Sequence, residues 1–215
     1  MKAVLIGPPG VGKGTQAKKI QAELGWRQIA TGDILREAIQ AQTTLGKLAE
    51  TYIVQGTLVP DDIMLNLVEQ TLYGDPPLEN FVLDGFPRTV PQAEGLTKLL
   101  QRHSDALDRV VLLVAPFEAI AQRLAARRTC RQCGAIYNLM TSPPQKDAIC
   151  DLCGGELFQR DDDRLEVIQN RLDVYQRQTE PVVAYYRQQG LLQEVNGWGS
   201  VEEVNDNIKR ALGGF

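Results

Sequence analysis

The sequence has no apolar run long enough to cross a membrane. Its opening segment, residues 1–6, is interrupted at Gly7 after four consecutive apolar residues. That run is too short for a membrane span or for the apolar region of a signal peptide. We therefore expect a cytoplasmic protein with no membrane partner. Because the cytoplasm keeps thiols reduced, the four cysteines need a role other than disulfide bonding.

An excess of basic residues is also missing. The 215 residues include 23 Lys and Arg against 27 Asp and Glu, which gives a formal net charge of -4. Nucleic-acid-binding domains usually carry an excess of positive charge, so we expect no nucleic-acid partner. Histidine is nearly absent: only His103 occurs. It lies in a segment predicted to be a polar surface loop, and we assign it no catalytic role.

The length and the 43% hydrophobic content suffice for one globular core with inserted segments. Apolar runs predict buried strands at residues 2–6, 81–83, 109–114 and 191–195. Continuous apolar strands with helices between them are typical of a parallel sheet covered on both faces. The sequence therefore predicts an α/β fold with a central parallel sheet flanked by helices.

Two segments interrupt this alternation. Residues 30–59 are predicted to be mostly helical, whereas residues 129–158 contain the cysteines and show little helical periodicity. We expect both to be insertions that project from the sheet. After them, residues 164–189 are predicted to form a long helix that bends at Pro181.

The glycine loop, residues 7–15 with the sequence Gly-Pro-Pro-Gly-Val-Gly-Lys-Gly-Thr, follows the first predicted strand. A helix is predicted from Lys13 to Leu24, with Gly25 at its end. Glycines let the backbone curl with its amides pointing inward, and the helix N-terminus adds its dipole. Lys13 supplies a charge that can follow the β- and γ-phosphates of a nucleoside triphosphate. Strand before and helix after favour phosphate binding over a glycine-rich turn with an incidental lysine.

This loop alone does not choose among kinases, switch GTPases and transport ATPases. Asp84 ends the predicted strand at residues 81–83, and Arg88 follows four residues later. Ligands of open α/β folds bind at that end of the strands, where an acid could hold the water shell of Mg²⁺. The alternative is an aspartate that caps a helix or turn. Gly85 and Pro87, which shape the turn, favour the ligand-binding interpretation.

Further arginines follow. Arg123 and Arg127 are spaced i, i+4 on a helix predicted to begin near Pro116, so we expect them to share a face. Arg160 and Arg171 come later. Each arginine alone is typical of a solvated charge or an ion pair. Together with the glycine loop they predict an arginine-lined cleft, because a guanidinium group matches phosphate oxygens.

The cysteines form two pairs of Cys-x2-Cys spacing with sixteen residues between the pairs: Cys130, Cys133, Cys150 and Cys153. This spacing is typical of a tetrahedral zinc site. Gly134 and Gly154 follow the two pairs and permit a tight turn around the sulfurs. Four thiolates would fill the coordination shell, so the zinc would be structural. The alternatives are two disulfides, which a reducing compartment disfavours, and a zinc ribbon that binds nucleic acid.

Three strings in the sequence resemble the adenylate kinase family: residues 7–15, residues 31–36 (Thr-Gly-Asp-Ile-Leu-Arg) and residues 84–93 (Asp-Gly-Phe-Pro-Arg-Thr-Val-Pro-Gln-Ala). The resemblance covers the whole chain, and the third string is highly specific. It implies a P-loop fold and reversible Mg-dependent phosphoryl transfer from ATP to AMP, giving two ADP, with a lid that closes to exclude water. The residues leave open a kinase for another nucleoside monophosphate and a nucleotide-dependent switch protein.

The resemblance also divides the chain. It implies a core formed by residues 1–29, 60–125 and 164–215, an AMP-binding segment at residues 30–59, and a lid at residues 126–163. The lid would carry the structural zinc, as in part of the family. We expect a monomer because the sequence shows no second interface.

Residue roles follow from the same motif match. The residues implied to act in catalysis are Lys13, Asp84, Arg88, Arg127, Arg160 and Arg171, with Asp84 orienting hydrated magnesium. Those implied to bind ATP are Gly10, Val11, Gly12, Lys13, Gly14, Thr15, Arg123, Arg127, Ile136, Tyr137 and Gly199. Those implied to bind AMP are Thr31, Arg36, Thr57, Leu58, Val59, Gly85, Arg88, Gln92, Arg160 and Arg171. Arg123 would stack on the ATP adenine, and Gln92 would read the AMP adenine.

Overall fold

The structure is a computed structural model that describes residues 1–214. Its first part contains β1 (Lys2–Ile6), α1 (Lys13–Leu24), β2 (Arg27–Ala30), α2 (Thr31–Gln40), α3 (Thr44–Gln55), α4 (Asp61–Leu72), β3 (Phe81–Asp84), α5 (Val90–Arg102), β4 (Arg109–Val114) and α6 (Phe117–Ala125). Its second part contains β5 (Arg127–Cys130), β6 (Ile136–Asn138), β7 (Leu157–Phe158), α7 (Leu165–Val174), α8 (Glu180–Gln188), β8 (Leu192–Asn196) and α9 (Val201–Leu212). Among these described residues, no helix is both long and apolar enough to cross a bilayer.

The central sheet is parallel, with the strand order β2-β3-β1-β4-β8 within residues 1–214. The predicted α/β fold is confirmed, and β8 begins one residue later than expected. All strands run in one direction, so their carboxyl ends meet at one edge, where Ala30 and Leu5 both lie opposite Asp84. The glycine loop leaves β1 at this edge.

Both faces of the sheet are covered, because alternate residues of a strand point to opposite faces. On β1, Val4 and Ile6 belong to one buried cluster, which includes side chains of α4, α5 and α8. Ala3 and Leu5 belong to the other, which includes side chains of α1 and α9. A strand buried on both faces needs the continuous apolar run that predicted it.

The strand β2 was missed in the sequence analysis. It is a short edge strand in which Arg27 is exposed and Ile29 is the fully buried residue. With polar residues at two of its four positions it lacks the apolar run that marks the other strands. Its position matters because Ala30, at its end, leads directly into α2 at Thr31.

A second, antiparallel sheet of order β6-β5-β7 lies within residues 127–158. None of these residues, all of which the structure describes, is helical, as expected. The buried cluster of this sheet consists of Cys130, Tyr137, Cys150 and Leu157. So few side chains give little hydrophobic stabilisation, and the segment is therefore suited to a covalent or metal crosslink.

The expectation that Arg123 and Arg127 share a helix face was wrong. Helix α6 ends at Ala125, and Arg127 is the first residue of β5. Two hydrogen-bond donors in or next to β6 bond to carbonyls that would accept helical N–H groups if α6 continued. Asn138 donates to the Arg123 carbonyl at 2.9 Å, and the Leu139 N–H donates to the Ala126 carbonyl at 3.0 Å. The chain therefore turns from helix into strand between the two arginines.

The predicted helix at residues 164–189 is present, but it is interrupted. A 3-10 turn (Asp161–Asp163) precedes α7, and a π-helical turn (Tyr175–Thr179) joins α7 to α8. Pro181 has no N–H to donate to the carbonyl of Arg177, four residues earlier, which disfavours regular α-helical bonding there. The interruption therefore lies just before the proline rather than at it.

Candidate active site

The glycine loop fits closely between β4 and α6. Gly10 has φ +82°, and a Cβ there would lie 2.6 Å from Cγ of Leu124 on α6. A Cβ on Gly7 would lie 2.5 Å from the Leu113 carbonyl oxygen of β4. Side chains at these positions are therefore excluded by both backbone conformation and space. The loop keeps its curled path at the carboxyl edge of the sheet.

Lys13 begins α1 and turns back onto the glycine loop. Its ammonium group donates to the carbonyls of Gly7 (2.8 Å) and Pro8 (2.9 Å). Burial is the largest cause that lowers the pKa of Lys13 to about 7, Asp84 opposes it, and neighbouring arginines, Arg88 first, add to the lowering. An anion beside this nitrogen would favour its charged form and raise the pKa again.

Asp84 faces the loop from the end of β3. A Cβ on Gly14 would approach its Oδ2 to 3.1 Å, closer than ordinary van der Waals contact. The glycine between Lys13 and Thr15, where other P-loops have Ser or Thr, therefore allows the close approach of this carboxylate. Burial raises the pKa of Asp84, and the charge of Lys13 opposes the rise. A cation at this edge would meet a carboxylate oxygen of the type that Mg²⁺ and its water shell prefer.

Two buried aspartates hold the arginines contributed by β5 and α7. Asp163, whose side chain is fully buried, accepts two hydrogen bonds from Arg127, at 2.7 Å and 2.5 Å. It also accepts one from Arg171 at 3.0 Å. Burial is the largest single influence and would lower the pKa of Arg127, but Asp163, together with Asp162 and Asp33, outweighs burial and raises it. Asp162 lies 3.2 Å from Arg171.

A second set of charges joins α2 to the segment before α7. Arg36 lies 2.6 Å from Asp33 and 3.7 Å from Asp162. Arg160 donates to the Thr129 hydroxyl at 2.9 Å, and its guanidinium lies 3.6 Å from Asp33. Burial, followed by the charges of Arg36 and another arginine, lowers the pKa of Arg160 to about 9. These guanidinium groups are crowded, so each anion that joins them relieves repulsion.

Arg88 and Gln92 follow β3 at the same edge. Arg88 donates from Nε to the Gly85 carbonyl at 2.7 Å, and burial, followed by the charge of Arg171, lowers its pKa to about 10. The Gln92 side chain accepts from the Arg88 N–H at 2.7 Å and donates to Asp61 at 2.7 Å. An amide side chain has two acceptor and two donor positions, so one of each remains on Gln92.

Arg123, on α6, lines the cavity next to the segment that follows β8. Its guanidinium carbon lies 4.2 Å from the ring centroid of Trp198, and it donates to the Gly197 carbonyl at 3.3 Å. Burial lowers the pKa of Arg123. The close stacking is a cation–π contact, and it leaves the other face of the planar group for a second partner.

One cavity of about 650 Å³ contains every residue that the resemblance implied for nucleotide binding or phosphoryl transfer. Within residues 1–214 its charged lining includes seven cations and four carboxylates: Lys13, Arg36, Arg88, Arg123, Arg127, Arg160 and Arg171 against Asp33, Asp84, Asp162 and Glu202. A protein with a net negative charge thus has a cationic cavity.

Sequence reasoning missed several residues that organise this cavity. Asp33, Asp162 and Asp163 orient its arginines, and Trp198 stacks on Arg123. The only signals for the aspartates were the run of acids at residues 161–163, next to Arg160, and the place of Asp33 in the string at residues 31–36. No sequence signal connected Trp198 to an arginine 75 residues earlier (198 − 123).

The four cysteines lie apart from this cavity, in the antiparallel sheet. Their sulfurs all lie within 4.8 Å of one another, with 3.5 Å between Cys130 and Cys153 and 3.6 Å between Cys133 and Cys150. A tetrahedral ion with metal–sulfur bonds of about 2.3 Å requires sulfurs about 3.8 Å apart. The set can therefore hold one metal ion. Gly134 and Gly154, which end the two turns, have φ +67° and +73°.

Tyr137 connects the cysteines to the cavity. Its hydroxyl accepts the Asp151 N–H at 2.8 Å, which leaves its own proton to be donated to Cys150 Sγ at 3.5 Å. This hydrogen bond is the main cause that lowers the pKa of Cys150 to about 6. The same side chain lines the cavity. Metal ligands commonly have such hydrogen-bonding partners, which stabilise the thiolate that binds the ion.

The glycine loop between β1 and α1, the acid at the end of β3 and the cationic cavity define a P-loop nucleotide-binding protein. The family model for adenylate kinase matches residues 5–191. The chain therefore belongs to the adenylate kinase family, and the resemblance found in the three strings is confirmed.

Known adenylate kinases are similar in sequence to this chain over nearly its whole length. The adenylate kinase of Carboxydothermus hydrogenoformans is 50% identical over 212 residues, which cover 99% of each chain. The adenylate kinase of Archaeoglobus fulgidus is 46% identical over 212 residues, 99% of this chain and 98% of its own. That of Methanosarcina mazei is 45% identical over 215 residues, the full length of both chains.

We predict that Tyr137→Phe weakens metal binding by the cysteines. The substitution removes the proton donated to Cys150 and the acceptor of the Asp151 N–H, but it keeps the ring. The expected loss of metal affinity is about 10- to 100-fold, the usual effect of removing a hydrogen-bonding partner of a ligand. Competition with a chromophoric chelator measures it.

Tyr185→Phe is the matched control. Its hydroxyl pairs with Thr97 at 3.1 Å on α5, away from the antiparallel sheet. It should leave metal affinity unchanged. Equal affinities for the wild-type protein and Tyr137→Phe would show that the contact with Cys150 does not support the metal.

Proposed function

We propose that this protein transfers the terminal phosphoryl group of ATP to AMP, reversibly and with magnesium, giving two molecules of ADP. The observation that carries the proposal is one cavity that contains two sets of phosphate-binding groups. Its lining includes the glycine loop with Lys13, and also Arg36 on α2 and Arg88 after β3. A donor and an acceptor that both carry phosphates would meet between them. A nucleotide switch has no phosphoryl acceptor, so it does not need a second phosphate-binding set such as Arg36 and Arg88.

The donor would bind along the glycine loop. Backbone amides from Gly10 to Thr15 would surround its phosphates, with Lys13 as the mobile charge. The free face of Arg123 would stack on the adenine, and Gly199 would lie beside the base. Ile136 and Tyr137 would cover the nucleotide from the antiparallel sheet. All of these residues line the cavity.

The acceptor would bind under α2 and α3. Arg36 and Arg88 would hold the AMP phosphate, and the remaining donor and acceptor of Gln92 would pair with the adenine edge. The other residues proposed to contact AMP are Thr31, Thr57, Leu58, Val59 and Gly85. The Thr31 hydroxyl already donates to the Gly85 carbonyl at 3.1 Å, which joins the start of α2 to the end of β3.

Phosphoryl transfer between nucleotides needs charge stabilisation more than proton transfer. The acceptor is a phosphate oxygen that is already anionic at neutral pH, so no general base is required. The five residues proposed to offset repulsion between the nucleotides and to stabilise charge on the moving group are Lys13, Arg88, Arg127, Arg160 and Arg171. His103 does not line the cavity; it follows α5 directly, and its ring stacks on that of Tyr73 with 3.6 Å between the centroids.

Magnesium would accompany ATP in this reaction. Bound to the phosphates, it offsets their negative charge and so favours attack by another anion. We propose that Asp84 holds the water shell of the ion, since its carboxylate lies beside the glycine loop at Gly14. The close packing of these two residues fixes the carboxylate with respect to the loop.

We propose that residues 126–163 form a lid and residues 30–59 an AMP-binding segment, both attached to the core formed by residues 1–29, 60–125 and 164–215. Contacts between these parts support closure over the cavity. Lys18 on α1 donates to the Gly134 carbonyl at 2.9 Å, and Arg160 reaches Asp33 at 3.6 Å. Closure would exclude water, which competes with AMP as a nucleophile.

The metal in the cysteine cluster is proposed to be a structural zinc ion. Four thiolates at tetrahedral spacing are a typical zinc donor set, and they leave no position for a reactive water. The ion would fasten the small sheet whose buried cluster contains two of its ligands, Cys130 and Cys150. A reducing cytoplasm, which we propose as the location, keeps such thiols available for metal.

We further propose that the protein acts as a monomer without nucleic-acid or membrane partners. The whole site is contributed by one chain, and the net charge of -4 opposes binding to polyanions. Light scattering coupled to size-exclusion chromatography should give a mass near 23.8 kDa, with or without nucleotides. A mass near twice that value would contradict the proposal.

The choice of acceptor tests the proposed reaction. Purified protein is assayed with ATP and each of AMP, CMP, UMP and dTMP, and diphosphate formation is measured. We expect AMP to be the preferred acceptor. Preference for another monophosphate would indicate a different kinase, and absence of diphosphate formation would favour the switch protein.

Arg88→Ala should reduce kcat of this reaction by a factor on the order of 100 or more, because it removes a partly buried positive charge proposed to stabilise the transferred group. The matched control is Arg109→Ala at the start of β4. Arg109 is exposed and does not line the cavity. Near-normal turnover by a folded Arg88→Ala protein would contradict the assignment.

ATP binding should take up protons above neutral pH. Lys13, with its pKa lowered to about 7, is mostly neutral at pH 8 in the free protein. Phosphate oxygens beside it would raise this pKa, so binding should take up as much as about one proton at pH 8 and should strengthen as the pH falls toward 7. Calorimetry in buffers of different ionisation enthalpy measures the uptake.

Lys13→Arg is the control for that measurement. A guanidinium group stays charged at pH 8, so the variant should bind ATP without the Lys13-dependent uptake. Identical binding heats for the wild-type protein in all buffers would show that Lys13 is already charged before ATP binds.

A further inference from the structure

Trp198 is an exposed aromatic residue next to the cavity. Its relative exposure is 48%, and it belongs to no buried hydrophobic cluster among the described residues. The ring is therefore not part of the hydrophobic core. Its close neighbour is Arg123, whose guanidinium carbon lies 4.2 Å from the ring centroid.

The backbone holds Trp198 in place. On one side, the Gly197 N–H donates to the Val114 carbonyl at 2.8 Å, which ties the segment to the end of β4. The Trp198 N–H itself donates to the Asn196 side chain at 2.9 Å. Gly197 also lies so close to the glycine loop that a Cβ there would be 2.9 Å from a methyl group of Val11. The ring is therefore presented from a fixed segment.

Arg123 separates Trp198 from the cavity. Arg123 lines the cavity, whereas Trp198 lines a distinct surface groove beside α9. A guanidinium group is planar and can stack on both faces. The face on Trp198 is occupied, and the hydrogen bond to the Gly197 carbonyl at 3.3 Å limits rotation of the group. Because Arg123 lines the cavity, its other face is the one available to a base bound there.

We propose that Trp198 is a positioning residue for the nucleobase of the phosphoryl donor. It holds the Arg123 guanidinium parallel to the base, so that ring, guanidinium and adenine form one stack. This inference rests on the proposed contact between Arg123 and the ATP adenine. It assigns Trp198 to recognition of the base, and neither to the triphosphate nor to AMP.

Two substitutions distinguish the effect of the aromatic face of Trp198 from the effect of its size. Trp198→Leu keeps an apolar side chain but removes the π face, whereas Trp198→Phe keeps an aromatic ring. We expect Trp198→Leu to raise the KM for ATP roughly three- to tenfold, the effect of losing one cation–π contact. Its kcat and its KM for AMP should not change. Trp198→Phe should stay within about twofold of the wild-type KM for ATP.

A base-free ligand makes the test specific. Inorganic tripolyphosphate carries the triphosphate charge without a nucleobase, so its inhibition constant should be the same for the wild-type protein and Trp198→Leu. In a Trp26→Phe background, Trp198 is the remaining tryptophan. Its fluorescence should change on addition of ATP and should not change on addition of tripolyphosphate.

The outcomes are distinct. An unchanged KM for ATP in Trp198→Leu overturns the inference, and so does a parallel loss of affinity for ATP, AMP and tripolyphosphate, which would indicate a general structural role. In an Arg123→Ala background, Trp198→Leu should have no further effect. If Arg123→Ala alone leaves the KM for ATP unchanged, Arg123 does not contact the ATP adenine, and the inference about Trp198 fails with it.

The assay with different monophosphate acceptors tests the proposed reaction independently of all these results.

Discussion

The buried carboxylate of Asp163 is the contact on which the arrangement of positive charge in this protein depends. It binds Arg127 and Arg171 through three hydrogen bonds of 2.5 to 3.0 Å, and its side chain is fully buried. Without it, the two arginines would repel each other in a poorly hydrated site, which is costly. With it, both remain charged and oriented, yet the cavity keeps more cations than carboxylates. The remaining positive charge is available to phosphates, so one buried carboxylate paired with two arginines prepares a site for an anionic substrate.

The same edge of the sheet combines rigid and adaptable groups. The glycine loop, Asp84 and Gly14 are fixed by close packing, with little space for a side chain. In contrast, the contacts of Arg36 with Asp162 at 3.7 Å and of Arg160 with Asp33 at 3.6 Å join separate parts of the chain at longer distances. Loose ionic contacts of this kind can exchange a carboxylate for a phosphate. The rigid part therefore places the nucleotide, and the adaptable part can respond to it.

Much of this arrangement could be predicted from sequence, and the failures have physical causes. The apolar runs at residues 2–6 and 109–114 marked buried strands because a doubly covered strand excludes polar residues. The cysteine spacing predicted a cluster because local turns bring the paired sulfurs together. The strand β2 was missed since one buried isoleucine does not form a pattern. The shared helix face of Arg123 and Arg127 was wrong because Asn138 and Leu139, distant in sequence, bond the carbonyls at the end of α6. Spacing describes local geometry, and these contacts are not local.

The strand order of the central sheet has a consequence for how the chain assembles during synthesis. β1 is made first, but it pairs with β3 and β4, so Ala3 must meet Val82 and Arg109. The ribosome must therefore release more than half of the chain before the first strand has both neighbours. Parallel pairing over such separations is slow compared with local contacts. The helix pair α2–α3 and the hairpin-like sheet near the cysteines need no distant partner to begin forming. The nascent chain thus contains two segments that can become ordered locally. The strand β1, which leads into the glycine loop, can pair only after β3 and β4 have been synthesised.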